Sequence, residues 1–171
     1  MFWKGPVFTK NGFVDQTIDL QTCAISDGFE EEADGILVPL FRNCHTHLGD
    51  TLARDSVPPD LSLAELVGPS GWKHKWLEDN DVGKSIIAGF KEVINSGTGL
   101  VMDFREGGVE GLKLLDDIEY PGTLIALGRP AGDEQLPGNH AGISSLVDVK
   151  NSMDLASQAR EKNGFVGIHH S

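Results

Sequence analysis

The chain predicts an α/β fold built on a parallel sheet of about five strands, and three observations carry that reading. From residue 36 onward, short apolar runs alternate with stretches of helical periodicity. Helices between short buried strands imply parallel pairing, because parallel neighbours need crossover connections. A β-rich hairpin pattern is confined to the segment before residue 36.

Taken in order, VFTKNGFVDQTIDLQTCAISDG holds two β-rich runs around Asn11-Gly12, the pair that favours a tight type I′ turn. The acidic segment from Glu30 to Gly35 breaks this pattern, and residues 36–41 form an apolar run typical of a strand buried on both faces. A boundary near residue 35 is therefore expected, dividing 1–35 from 36–171. Val82, Ile86, Phe90, Val93 and Ile94 recur at helical spacing, with Asn80 or Asp81 as N-cap and Gly97 as the stop. A strand over 100–104 follows, then a helix containing Val109, Leu112 and Leu115, and a strand over 123–127. Residues 143–147 read as a weaker strand, 152–162 as a helix closed by Gly164, and 165–169 as the last strand. A closed (β/α)₈ barrel needs eight strands and about 250 residues, so a barrel here would be a little over half present.

With 39% hydrophobic and 23% charged residues among 171, the composition is that of a globular chain of one domain or slightly more. Neither a membrane-length apolar run nor a signal pattern in MFWKGPVFTKNG is found, so a cytoplasmic location is expected. Against 14 basic residues stand 26 acidic ones, a formal charge of -12 that repels phosphate backbones and anionic membrane surfaces. Nucleic acid and membranes are thus not expected as partners. Cys23 and Cys44 are too few for a disulfide framework and read as buried free thiols.

The chemistry concentrates at His45-Thr46-His47, at the carboxyl end of the first predicted buried strand. Side chains alternate along a strand, so both imidazoles point to one face, as two ligands of one cation must. Zn²⁺ and Fe²⁺ accept imidazole nitrogen, and strand carboxyl ends are where parallel α/β folds place their sites. H-x-H also arises from composition, and solvated or hydrogen-bonded histidines remain the other reading. His169-His170 supplies a further strand-end histidine, whereas His74 and His140 lie in loop-like sequence and read as surface residues.

ILVPLFRNCHTHLGD resembles the first barrel strand of the amidohydrolase superfamily, with its P-x-F-V-N-x-H-T-H pattern, in particular the cytosine-deaminase-like and chlorohydrolase-like branch. The same branch is matched by Gly97-Thr98 before a strand ending in Asp103-Phe104-Arg105-Glu106-Gly107-Gly108, by Leu127-Gly128-Arg129-Pro130, and by Gly142-Ile143-Ser144-Ser145. The resemblance implies a partial TIM-type (β/α) barrel over 36–171, preceded by part of a small β-sandwich over 1–35. It implies a metal-dependent hydrolase of C–N bonds other than peptide bonds, of deaminase type, with a small-molecule substrate.

His45 and His47 match the first-strand metal ligands, and the H-x-x-E pattern of the fifth strand puts the third ligand at His169, with His170 as its rival. One divalent metal is implied, zinc first, with iron or manganese as alternatives. No catalytic residue is assigned within the chain, because the glutamate of that pattern would fall one residue beyond Ser171. The family's sixth-strand histidine and eighth-strand aspartate have no counterpart. Asp50, Arg105, Glu106 and Arg129 follow predicted strands and are the substrate-binding candidates; salt bridges between loops are the other reading for each. A truncated non-catalytic chain, or one half of a split enzyme that binds a complementary C-terminal chain, is the alternative, and a homo-oligomer is a further expected assembly. A PHP-type phosphoesterase also uses H-x-H, but with further His and Asp ligands in a different order.

Overall fold

The computed structural model describes the chain except for Pro69, Asp133, residues 144–148, His170, Ser171 and the side chain of Val149. All of the expected strand over 143–147 except Ile143, and His170 as rival ligand, lie outside the described residues. Two compact units are present, Met1–Leu40 and Phe41–Ser171. Among the described residues no helix is long and apolar enough to cross a membrane.

The first unit is an antiparallel sheet in the order β1 (Phe2–Thr9), β2 (Gly12–Asp19) and β3 (Ile25–Asp27). Thr9 pairs with Gly12, so the two-residue loop is Lys10-Asn11 rather than Asn11-Gly12. Of these, only Gly12 has a positive φ, 98°, which excludes the expected type I′ turn, since that needs positive φ at both central residues. The Thr9 hydroxyl donates to the Gly12 carbonyl at 2.9 Å and closes the loop. Residues 36–40 also depart from expectation. Leu37 donates to Pro6 O (2.9 Å) and accepts from Phe8 N (2.8 Å), so this apolar run serves the edge of β1 instead of opening the parallel sheet.

The second unit carries five parallel strands in the order β4 (Phe41–Thr46), β5 (Thr98–Arg105), β6 (Thr123–Gly128), β7 (Ala141–Ile143) and β8 (Val166–Ile168). Helices α1 (Leu63–Val67), α2 (Trp72–Asp79) and α3 (Val82–Asn95) lie between β4 and β5, α4 (Gly108–Lys113) between β5 and β6, and α5 (Val149–Glu161) before β8. The arrangement is a partial TIM-type barrel. α3 is the helix legible from its periodicity. Asp81 caps it by accepting from Lys84 N at 3.1 Å, and its apolar stripe sets Ile86 and Phe90 against Val101 of β5 and Leu48 in a buried core. A 3₁₀ segment, Leu48–Ser56, packs on α3, where Ser85 is fully buried and its hydroxyl accepts from Leu52 N at 2.9 Å. α1 and α2 were not foreseen; Trp72 to Trp76, which reads as loop, is the first part of α2.

Both cysteines are free but exposed, not buried. Cys23 occupies a turn at φ 56°, and Cys44 belongs to β4, which stands at one edge of the sheet and leaves most of its side chains uncovered.

Candidate metal centre

In a flat sheet, β4 and β8 would lie about 19 Å apart, four inter-strand spacings. Sheet curvature closes that gap at the carboxyl ends. His45 Nε2 is 3.3 Å from His47 Nε2, His47 Nε2 is 3.2 Å from His169 Nε2, and His169 Nε2 is 2.9 Å from His45 Nε2. The three rings share an apolar floor, the buried Phe104 of β5, whose centroid lies 4.9, 5.5 and 4.3 Å from those of His45, His47 and His169. Phe104 can reach them because β7 and β8 present glycines to it. A Cβ at Gly142 would stand 3.1 Å from its Cδ1, and one at Gly167 would stand 2.7 Å from its Cζ.

Local backbone geometry aims the first two histidines. Thr46, between them, donates its hydroxyl to Met102 O and to Asp103 Oδ1, both at 3.1 Å. Asp103 Oδ1 also accepts from Leu48 N at 2.7 Å, so one buried carboxylate ties down the residues on either side of His47. Burial pushes the Asp103 carboxyl up from its ordinary value, against the opposing pull of the Arg105 guanidinium.

Behind His47 lies a charged cluster. Its Nδ1 is 3.3 Å from Glu106 Oε1 and 3.5 Å from Lys73 Nζ. Lys73, on α2, is 2.8 Å from both Glu106 Oε1 and Asp50 Oδ2. Arg105 reaches Glu106 Oε2 at 3.2 Å, and Arg129 reaches Oε1 at 3.4 Å. Burial alone would raise the Glu106 carboxyl, but the His47 hydrogen bond and the Lys73 charge outweigh it and hold the group well below the usual carboxylate range. The chain turns away at once through Gly107 and Gly108, at φ 87° and 60°, a left-handed pair that glycine adopts without a Cβ clash.

The four substrate-binding candidates thus fall within one network. Asp50 faces Lys73, Glu106 faces four cationic or imidazole groups, and Arg129 faces Glu106. Arg105 is 1% exposed, its guanidinium packed under Gly49 and 3.6 Å from Asp103 Oδ2, so it does not present itself at the sheet's open end. Sequence reasoning missed Lys73, Asp103 and Phe104. The signals for them were a lysine in a tryptophan-flanked segment, a polar residue inside an apolar strand, and the place of Asp103-Phe104 in a segment that resembles the family. His74 shares α2 with Lys73, and His140 Nδ1 accepts from Phe165 N at 2.9 Å, away from the cluster.

The donor set can be tested against a cation. A neutral imidazole nitrogen is either protonated, and donates, or bare, and accepts. Three nitrogens mutually within 3.3 Å therefore cannot satisfy one another; with a single proton among them, two bare lone pairs still face each other. Nitrogens about 2.0–2.1 Å from a tetrahedral centre lie about 3.3–3.4 Å apart, and right-angled ones about 2.9 Å. The observed spacings span that range, and among the described residues this is the cluster whose ligand atoms converge on one point. Burial, then the neighbouring His47, lowers the pKa of both His45 and His169, which favours the unprotonated form a cation needs.

No family model matches the chain. Over 98% of its length it is 31% identical to a protein of Archaeoglobus fulgidus named "Putative aminohydrolase", of which it covers 52%. It is 29% identical, over 81% of its length, to a 5-methylthioadenosine/S-adenosylhomocysteine deaminase of Haloarcula marismortui, covering 32% of that protein. Among solved structures it matches N-isopropylammelide isopropylaminohydrolase of Burkholderia multivorans with a TM-score of 0.61, 13% identity, and coverage of 99% of this chain and 53% of that one. The last likeness concerns the fold. The chain spans about half the length, or less, of these relatives. Along nearly its whole length the chain is therefore similar in sequence to a protein named as an aminohydrolase, and its parallel half-barrel shares the fold of a solved aminohydrolase.

Proposed function

We propose that the chain contributes the metal centre of a hydrolase that cleaves a C–N bond of a small molecule, with water as co-substrate and ammonia or an amine as leaving group. The observation that carries this reading is the triangle of Nε2 atoms, 2.9 to 3.3 Å on a side, which no hydrogen-bonding pattern satisfies. His45, His47 and His169 would hold one divalent cation, zinc first by donor chemistry. Such a cation supplies Lewis acidity and makes hydroxide available near neutral pH.

The chain's own side chains divide the remaining work. Phe104 closes the site from below and keeps water off that side of the imidazoles. Glu106 Oε1 lies 3.3 Å from His47 Nδ1, the ring nitrogen that does not face His45 and His169. Asp50 and Glu106 are both engaged by Lys73, at 2.8 Å each. The names of the relatives favour aminated carbon centres, and 5-methylthioadenosine and S-adenosylhomocysteine are the first compounds to assay. The test is metal analysis of the purified chain, with ammonia release measured before and after chelation. About one zinc per chain and zinc-dependent release support the reading; no metal uptake under any condition sinks it.

A further inference from the structure

We propose that Glu106 is a positioning residue that selects the His47 tautomer, acting through Nδ1 rather than on a substrate. The inference rests on the metal-centre reading above.

Two groups compete for His47 Nδ1. Glu106 Oε1, 3.3 Å away, can only accept, and Lys73 Nζ, 3.5 Å away, can only donate. Their demands are opposite. If Nδ1 donates to the carboxylate, Nε2 is bare and faces His45 and His169; if Nδ1 accepts from the ammonium, the proton sits on Nε2 and blocks ligation. The surroundings decide in favour of Glu106. Lys73 already has carboxylate oxygens of Asp50 and Glu106 at 2.8 Å each, shorter and charge-assisted, so its protons point there. Glu106 is held in place from three further sides, by Lys73, Arg105 and Arg129, and is largely buried. A carboxylate gripped this way is poorly placed to bind substrate and well placed to orient a ring.

The arrangement also explains why four basic or imidazole groups converge on one carboxylate. Lys73 comes from α2 and Glu106 from just past β5, 33 positions later, and together they set the proton on His47, the residue that follows β4. Carboxylates behind ligand histidines fix ring orientation in this way, and their loss typically weakens metal affinity by about 10–100-fold.

The test reads the tautomer and the zinc affinity separately. The ring nitrogens of His47 are followed by ¹⁵N NMR in the metal-free chain, and zinc binding is measured by competition with a chromophoric chelator. Wild type is expected to show Nδ1–H with a bare Nε2. E106A, which leaves Lys73 Nζ facing Nδ1, is expected to move the proton to Nε2 and to weaken zinc binding by about 10–100-fold. E106Q, whose amide oxygen still accepts from Nδ1, should lose less. Nε2–H in the wild type overturns the inference, as does E106A binding zinc within about twofold of a zinc-binding wild type. Should E106A not fold, the wild-type tautomer and E106Q decide the matter without it. A wild type that takes up no zinc defeats the metal-centre reading, and the tautomer still decides whether Glu106 orients His47.

Discussion

The Thr46 hydroxyl donates to Asp103 Oδ1 across 3.1 Å, joining the residue between the two strand-end histidines to a fully buried carboxylate 57 positions later. The same oxygen takes the Leu48 amide at 2.7 Å, so the backbone on both sides of His47 hangs on Asp103.

Asp103→Ala should therefore be severe. It orphans the Leu48 amide and leaves the Arg105 guanidinium, 1% exposed, without the carboxylate 3.6 Å away. Removing one partner of a buried pair costs about 3–5 kcal/mol, and urea denaturation should show a loss of that size. Asp103→Asn keeps an acceptor for Leu48 and should cost less.

The same residue makes stability depend on pH in a defined direction. Burial raises its carboxyl in the folded state above 3.8, so between 3.8 and that raised value the folded chain binds more protons than the unfolded one. The contribution of Asp103 is then largest at low pH and declines as pH rises through this window. The stability of wild type relative to Asp103→Asn should increase as pH is lowered from 7 toward 4, measured by denaturation at matched ionic strength. A difference that stays flat or runs the other way would refute the assignment.

Gly167→Ala should overpack the sheet interior. The added Cβ would meet the Leu127 side chain and stand 2.7 Å from Phe104 Cζ, both within the buried interior. Overpacking of this kind costs about 1–3 kcal/mol. Because Gly167 lies two residues before His169, zinc affinity should fall along with the thermal midpoint.

Phe104→Ala removes the ring that stacks on His169 at 4.3 Å and fills the space beside Gly142 and Gly167. A buried Phe→Ala change costs about 3–5 kcal/mol. Phe104→Leu restores much of the volume and should recover most of the stability but less of the zinc affinity, since a leucine offers no flat face to the imidazoles.

His169→Ala should weaken zinc binding by more than the about 10–100-fold typical of losing a residue behind a ligand. His170→Ala should leave it within a few-fold of wild type. The reverse ranking would transfer the third ligand role to His170.

The elements with strong local signals were legible in the sequence. The stripe from Val82 to Ile94, the cap at Asp81 and the β-rich runs around residues 100–104 and 123–127 depend on neighbours a few positions away, and α3, β5 and β6 form there. The H-x-H pattern on a strand end was legible for the same reason, because alternation along one strand already points both rings to one face. The run 36–40 misled because apolar character does not say which sheet edge will take a segment's backbone hydrogen bonds, and β1 took them.

What only the tertiary structure decided are the partnerships made across long separations. Sheet curvature carries His169 to within 2.9 Å of His45, 124 positions away. α2 carries Lys73 to Glu106, and the sheet register carries Asp103 to Thr46. Glu106 itself was visible as a charged residue after a strand. Its contacts with His47 and with cations arriving from α2, β5 and the segment after β6 depend on distances that no local pattern encodes.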